Sequence, residues 1–168
     1  MNIKIIEFER SYKEELINFI LTIQNNEFNI NIDRSDQVDL ENIEANYLDS
    51  GGQFLIAVNK EKKIVGSVGL VRLENGKSAL KKMFVDKKYR NLKVGKQLLD
   101  NIIEKCLKNN ISEVYLGTID KFISAQFFYA NNGFQEIDSK DLPYDFPKLD
   151  VDNRFYYRKI TDTIQQNC

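Results

Sequence analysis

Between Gly51-Gly52 and Val85 the chain carries three runs rich in apolar and β-branched residues: Gln53 to Val58, Ile64 to Leu73 and Ser78 to Val85. Only the polar turn Asn59-Lys60-Glu61-Lys62 and the dipeptide Asn75-Gly76 separate them. Asn-Gly between such runs is a strong hairpin signal, because both turn residues tolerate positive φ. This stretch reads as an antiparallel meander, and whatever else the chain folds into must be arranged around it.

The remaining elements follow from periodicity. Ile3 to Phe8 alternates weakly and reads as a first strand. A helix is expected from about Ser11, whose hydroxyl can cap it while Glu14 and Glu15 occupy the favourable first turn. Its apolar stripe is Tyr12, Leu16, Phe19, Ile20 and Ile23. Asn25 to Asn31 is polar and irregular, and a second helix is expected from near Ser35 or Asp39, with Leu40, Ile43, Tyr47 and Leu48 on one side and Gly51-Gly52 at its end. After the meander, Val94, Leu98, Leu99, Ile102, Ile103, Cys106 and Leu107 mark an amphipathic helix stopped at Asn109-Asn110. A short strand at Val114 to Leu116, a helix over Phe122 to Asn131 ended by Asn132-Gly133, and closing strands at Phe134 to Ile137 and Arg154 to Ile160 complete the order. That order predicts an α/β fold, a mixed and mostly antiparallel central sheet flanked by helices on both faces. With 168 residues, 42% of them hydrophobic, one domain over 1–168 is expected, without repeats or a linker.

Composition narrows the chemistry. The formal charge is −1, from 24 basic and 25 acidic residues, so no net positive field favours nucleic acid or an anionic membrane, and any phosphate recognition must be local. No apolar run approaches the length of a membrane span and no export leader is visible, which points to a cytoplasmic protein. The two cysteines, Cys106 and Cys168, make neither a disulfide framework nor a metal-ligand spacing. Cys106 falls in helical register with Leu99, Ile102 and Ile103 and reads as core. The chain has no histidine, which removes Ser-His-Asp and Cys-His pairs and imidazole-based zinc sites. Carboxylate, lysine, cysteine, tyrosine or water must then carry any proton.

The most informative stretch is Ser78 to Lys96, where a strand empties into a basic turn that opens the long amphipathic helix. A helix entrance presents unpaired N–H groups and the positive end of the macrodipole, and so attracts phosphate. Lys87, Lys88, Arg90, Lys93 and Lys96 crowd that entrance, and an arginine can bind phosphate through two parallel hydrogen bonds. From the charge run alone, a solvated basic loop is the alternative.

Here the chain resembles the Gcn5-related N-acetyltransferase (GNAT) family, whose signature is Arg or Gln, two spacers, Gly, one spacer, then Gly or Ala. Arg90, Lys93 and Gly95 stand at those positions, with lysine in place of the first glycine. The strand Leu80 to Val85 and the run Ala125 to Phe134, AQFFYANNGF, also match. The resemblance implies an acetyl-CoA-dependent N-acetyltransferase needing no metal, with the coenzyme held by Met83, Phe84, Val85, Arg90, Asn91, Leu92, Lys93, Val94, Gly95 and Lys96, and with Thr118 at the end of a strand that splays from Met83 to Val85. Main-chain amides of the turn would hold the diphosphate if residue 93 keeps the backbone shape; otherwise the turn is wider, or the Lys93 ammonium serves. A backbone N–H near Val85 would polarise the thioester carbonyl, and Tyr129 aligns with a tyrosine that protonates the departing thiolate.

The general base stays open among Glu74, Asp120, Glu27 and Asp39, or a water held at Thr118. The acceptor, a small-molecule or peptide amine, maps onto Asn25 to Asp39 and Leu142 to Asp150, and the ending LPYDFPKLDVDNRFYY is similar to that of small bacterial members. A monomer or a homodimer is expected. The rival reading is a non-catalytic acyl-CoA-binding sensor or interaction module, and a third is nucleotide binding at the same anion site. Gly76-Lys77-Ser78 imitates the tail of a P-loop, but Val71 stands where that motif needs glycine. No G-x-G-x-x-G follows a strand.

Overall fold

The structure, a computed structural model, describes residues 2–161; Cys168 lies outside the described residues. Seven strands form a mixed, mostly antiparallel sheet in the order β1-β2-β3-β4-β5-β7-β6. By internal packing the described residues divide into two compact units, the first reaching to Val71 and including Lys82–Ile102, the second comprising Arg72–Lys81 and the residues from Ile103 onward.

In the first unit, β1 (Lys4–Glu7) runs antiparallel to β2 (Gln53–Val58), which runs antiparallel to β3 (Ile64–Arg72). The β2–β3 turn closes on Asn59, whose Oδ1 accepts the N–H groups of Glu61 and Lys63 at 3.0 Å while Lys62 adopts φ 61°. The core packs Leu16, Ile17, Ile20, Leu40, Ile43, Tyr47, Phe54 and Ile56, each almost fully buried. At about 1.5–3 kcal/mol for each large apolar side chain removed from water, this cluster is the main stabilising term of the unit. Tyr47 meets Phe54 edge to face at 5.0 Å.

Helix α1 (Lys13–Thr22) buries Leu16, Ile17 and Ile20, as its stripe predicts. Its start differs from the expectation. A 3-10 turn over Arg10–Tyr12 precedes it, and Ser11 caps nothing, because the helix boundary falls at Tyr12. Glu15 instead accepts the Ile64 N–H at 2.6 Å, tying α1 to β3. The helix continues as a π turn over Ile23–Glu27.

The second helix is not continuous. It is broken into 3-10 turns at Arg34–Asp36 and Val38–Glu41 and a π turn at Glu44–Leu48. Polar side chains restart it at two of the three turns: Asp33 and Asp36 form a capping box, and the Asn42 carboxamide oxygen takes the Ala45 N–H at 3.0 Å. Short side chains that bond their own main chain compete with helix in this way. The apolar positions Leu40, Ile43 and Tyr47 are nevertheless buried as expected.

Strand β4 (Lys77–Val85) passes from the second unit into the first. It enters through the Asn75-Gly76 turn, with φ 62° and 73°, closed by the Leu73 N–H on the Lys77 carbonyl at 2.9 Å. Helix α2 (Val94–Lys108) follows and ends at Asn109-Asn110, with Asn110 at φ 58°. In the second unit, β4 pairs in parallel with β5 (Glu113–Thr118) through Lys77↔Glu113, Ser78↔Val114 and Ala79↔Tyr115. Helix α3 (Ile123–Asn131) leads into β6 (Gln135–Ile137), and β7 (Arg154–Lys159) lies antiparallel between β5 and β6. Cys106 is fully buried, and burial pushes its thiol up to about 12. No described helix is long and apolar enough to cross a membrane.

Candidate functional site

In the first unit the site is built where β4 leaves the sheet. Lys82 interrupts the strand with a left-handed backbone, φ 55°, a conformation that costs a side-chain-bearing residue about 1–3 kcal/mol and persists only where its surroundings enforce it. They do so here. The Ser67 hydroxyl donates to the Lys82 carbonyl at 2.7 Å, and the Lys82 ammonium, with its side chain only 8% exposed, donates to Gln37 Oε1 and lies 3.5 Å from Asp39. Gln37 is buried and donates to Gln24 Oε1 at 2.8 Å, while Asp39 accepts the Tyr47 hydroxyl at 2.5 Å. A polar chain from Gln24 to Tyr47 thus closes around one ammonium. Burial, reinforced by the Asp39 charge, pushes the Tyr47 phenol well above its ordinary value, so it stays a donor.

Past Lys82, the residues Met83, Phe84 and Val85 are half-buried. The Asp86 N–H donates to the Val65 carbonyl at 2.8 Å, and Asp86 caps the next turn by accepting the Lys88 N–H at 2.8 Å. That turn, Lys87–Leu92, ends at Lys93 with φ 61° and ψ 25°, and α2 begins at Val94. The position that the signature gives to glycine is therefore left-handed here with lysine in it. Lys93 thus takes, without a break before α2, a conformation that glycine adopts freely.

Gly66 on β3 lets the parts come close: a Cβ there would lie 2.9 Å from Leu98 Cδ1, 3.2 Å from Val94 Cγ1 and 3.3 Å from the Phe84 carbonyl. The first turns of α2 and the end of β4 thus converge over one glycine. Lys87, Lys88, Asn91, Leu92, Lys93 and Lys96 are exposed at this mouth and Gly95 is half-buried, Lys96 pairing with Asp100 at 3.1 Å. Arg90 is engaged otherwise: both terminal nitrogens bond the Glu27 carboxylate, one at 2.8 Å, and Nε donates to the Val85 carbonyl at 3.0 Å.

Of the proton acceptors considered, Glu27 is held by Arg90, Asp39 by Tyr47 and Lys82, and Glu74 accepts the exposed Tyr144 hydroxyl. Sequence reasoning missed Lys82, Gln24 and Gln37. The visible signal was the pair Lys81-Lys82, which breaks the alternation of β4.

In the second unit, Thr118 is buried at the end of β5, and its carbonyl accepts the Asn153 N–H at 3.0 Å. Tyr129 on α3 is 5% exposed and packs against Phe128, Phe134 and Tyr156 at 5.5–5.9 Å between ring centres. Burial pushes its phenol far above the ordinary value, and the hydroxyl has no partner among the described residues. A phenol in that state stays protonated across the whole physiological range. Asp120 is fixed through its main chain, whose N–H donates to Asn153 Oδ1 at 3.0 Å. Among the described residues no cluster of three or more histidine, cysteine or acidic side chains could hold a metal ion.

Comparison with known proteins follows the same lines. Residues 21–142 match the family described as the acetyltransferase (GNAT) domain. A crystal structure of an acetyltransferase of the GNAT family from Staphylococcus aureus is 69% identical, with a TM-score of 0.93 over 95% of this chain and 100% of that one. An acetyltransferase from Streptococcus agalactiae is 31% identical, with a TM-score of 0.88 over 94% and 98%. N-acetylaspartate synthetase from Danio rerio is 32% identical over 108 residues, 63% of this chain but only 38% of that protein. The chain thus spans well under half the length of this curated relative.

Proposed function

The chain belongs to the GNAT acetyltransferase family, and from that premise we propose that it is an acetyl-CoA-dependent acyltransferase that acetylates a primary amine of a small molecule or peptide by direct attack in a ternary complex. The observation that carries this reading is Lys93, whose left-handed backbone lets a 15-residue helix open with its first-turn amides presented at a basic mouth. Those amides, from Asn91 to Lys96, would bind the diphosphate of coenzyme A, since the helix entrance supplies both donors and the positive end of the macrodipole. The edge of β4 at Met83, Phe84 and Val85 would pair with the amides of the pantetheine arm.

In the reaction the neutral amine nitrogen bonds to the thioester carbonyl carbon, and charge develops on the carbonyl oxygen, where the Val85 N–H receives it. The C–S bond then breaks with its electron pair on sulfur, the surplus proton of the amine passes to a carboxylate or water, and Tyr129 gives its proton to the thiolate and regains one from that carboxylate or water, so the phenol is restored. The products are an amide and free coenzyme A. Burial keeps the phenol protonated, so its hydroxyl can donate a hydrogen bond to the departing sulfur.

A free-thiol release assay with acetyl-CoA and a panel of amines tests the proposal. Thiol release that depends on both the amine and acetyl-CoA is the expected result. Binding of coenzyme A without acceptor-dependent release would instead support a sensor or interaction module.

A further inference from the structure

Arg90 stands at the first position of the signature, where its guanidinium is expected to face phosphate, yet three of its N–H groups point elsewhere. Both Glu27 oxygens are taken in a fork, with Nη2 to Oε2 at 2.8 Å, and Nε holds the Val85 carbonyl at 3.0 Å. The Phe28 ring lies 5.9 Å from the guanidinium carbon. The pair is partly buried, with 32% of the arginine and 24% of the glutamate side chain exposed.

The Val85–Asp86 peptide unit is consequently gripped at both ends, its oxygen by Arg90 and its N–H by the Val65 carbonyl at 2.8 Å. We infer that Arg90 is a positioning residue: clamped by Glu27, it locks the peptide plane that ends β4 and so fixes the direction of the Met83–Val85 edge, while the diphosphate is left to main-chain amides. The inference deepens the acetyltransferase reading and rests on it for the role of that edge. A guanidinium is required, since a lysine ammonium cannot span two carboxylate oxygens and a carbonyl in one plane. Glu27 belongs to the π turn that extends α1 into the segment proposed for the acceptor, so the clamp also ties that segment to the donor strand.

The test uses the full chain with Glu27→Gln, Arg90→Lys and Arg90→Met. Amide hydrogen exchange, the Kd for coenzyme A, and turnover of acetyl-CoA with the panel amine that releases most thiol are measured, protection of the Ile20 amide confirming that each variant is folded. Exchange at the Asp86 amide is expected to rise at least about tenfold in all three, with Kd within about threefold of the unaltered chain. Turnover is expected to fall about tenfold to a hundredfold, the scale set by small misplacements of reacting groups.

Unchanged Asp86 exchange in Glu27→Gln overturns the inference. So does the opposite pattern, in which Glu27→Gln tightens coenzyme A while Arg90→Met weakens it tenfold, for that is the signature of a phosphate ligand. If the unaltered chain binds no coenzyme A, the acetyltransferase reading fails instead, and Asp86 exchange still decides whether the clamp locks the strand.

Discussion

Replacing Lys93 by glycine, alanine and valine separates what its backbone does from what its ammonium does. At φ 61° and ψ 25°, a residue with a Cβ bears a strain of about 1–2 kcal/mol that glycine does not. Glycine in turn gives up about 0.5–1 kcal/mol through the greater freedom of the unfolded chain. Lys93→Gly should therefore stabilise by about 0.5–1 kcal/mol, which for a chain of this size raises Tm by about 1–4 °C. Lys93→Ala keeps the Cβ and should leave Tm within about 1 °C, whereas a β-branched residue fits the left-handed region poorly, so Lys93→Val should lower Tm by several degrees. If main-chain amides hold the diphosphate, glycine and alanine bind coenzyme A within about fivefold of the original, because an exposed ion pair contributes at most about 1 kcal/mol. Scanning calorimetry and titration calorimetry give both numbers. A tenfold loss of affinity in both Gly and Ala variants at unchanged Tm would refute the reasoning and make the ammonium the ligand.

Other outcomes can be set beside it. Tyr129→Phe should cut turnover by about 10²-fold or more and leave the Kd of coenzyme A nearly unchanged; because burial holds the phenol up, the rate of the unaltered chain should show no alkaline fall near pH 10 that the Phe variant lacks. Lys82→Met strands Gln37 and the partly buried Asp39 without the ammonium and should destabilise by about 2–3 kcal/mol, read as a Tm drop of about 5–10 °C, with Lys82→Met/Asp39→Asn milder than Lys82→Met alone. Hydrogen bonds from Arg34 hold Glu41 down at about 2 and lower Glu14 as well. Depressed carboxylates contribute stability that is present above about pH 4.5 and lost as the pH falls toward 2. Urea midpoints should therefore fall more steeply across that window in the unaltered chain than in Arg34→Met, and equal slopes would remove the Arg34 pairs from the acid response.

What could be read from the chain alone divides along the range of the interactions. Asn75-Gly76, the α2 stripe and Asn132-Gly133 were legible because turn chemistry and helical period act over a few residues, and the hairpin, the helix and the left-handed Gly133 all stand where expected. The second helix was misread as continuous because its apolar spacing is helical, while the interruptions come from local capping by Asp33 and Asn42 and from Gln37 and Asp39 turning toward buried partners. The site shows the same division. The basic turn follows from local sequence, whereas the backbone of Lys93 stayed open there, the ammonium of Lys82 is placed by Gln37, 45 positions away, and the guanidinium of Arg90 by Glu27, 63 positions away. No period or motif announces such pairs, and neither the Lys82–Gln37 nor the Arg90–Glu27 contact follows from the sequence.

Gly66 has a consequence for how sequences of this kind can drift. With Leu98 Cδ1 at 2.9 Å and Val94 and the Phe84 carbonyl within 3.3 Å of where a methyl would sit, even alanine must push the Leu98 side chain aside and crowd the first turn of α2 against the end of β4. A lineage that enlarges residue 66 meets Leu98 and Val94 first, so trimming either should ease the change. Change at this glycine should more often be found in company with change at Leu98 or Val94.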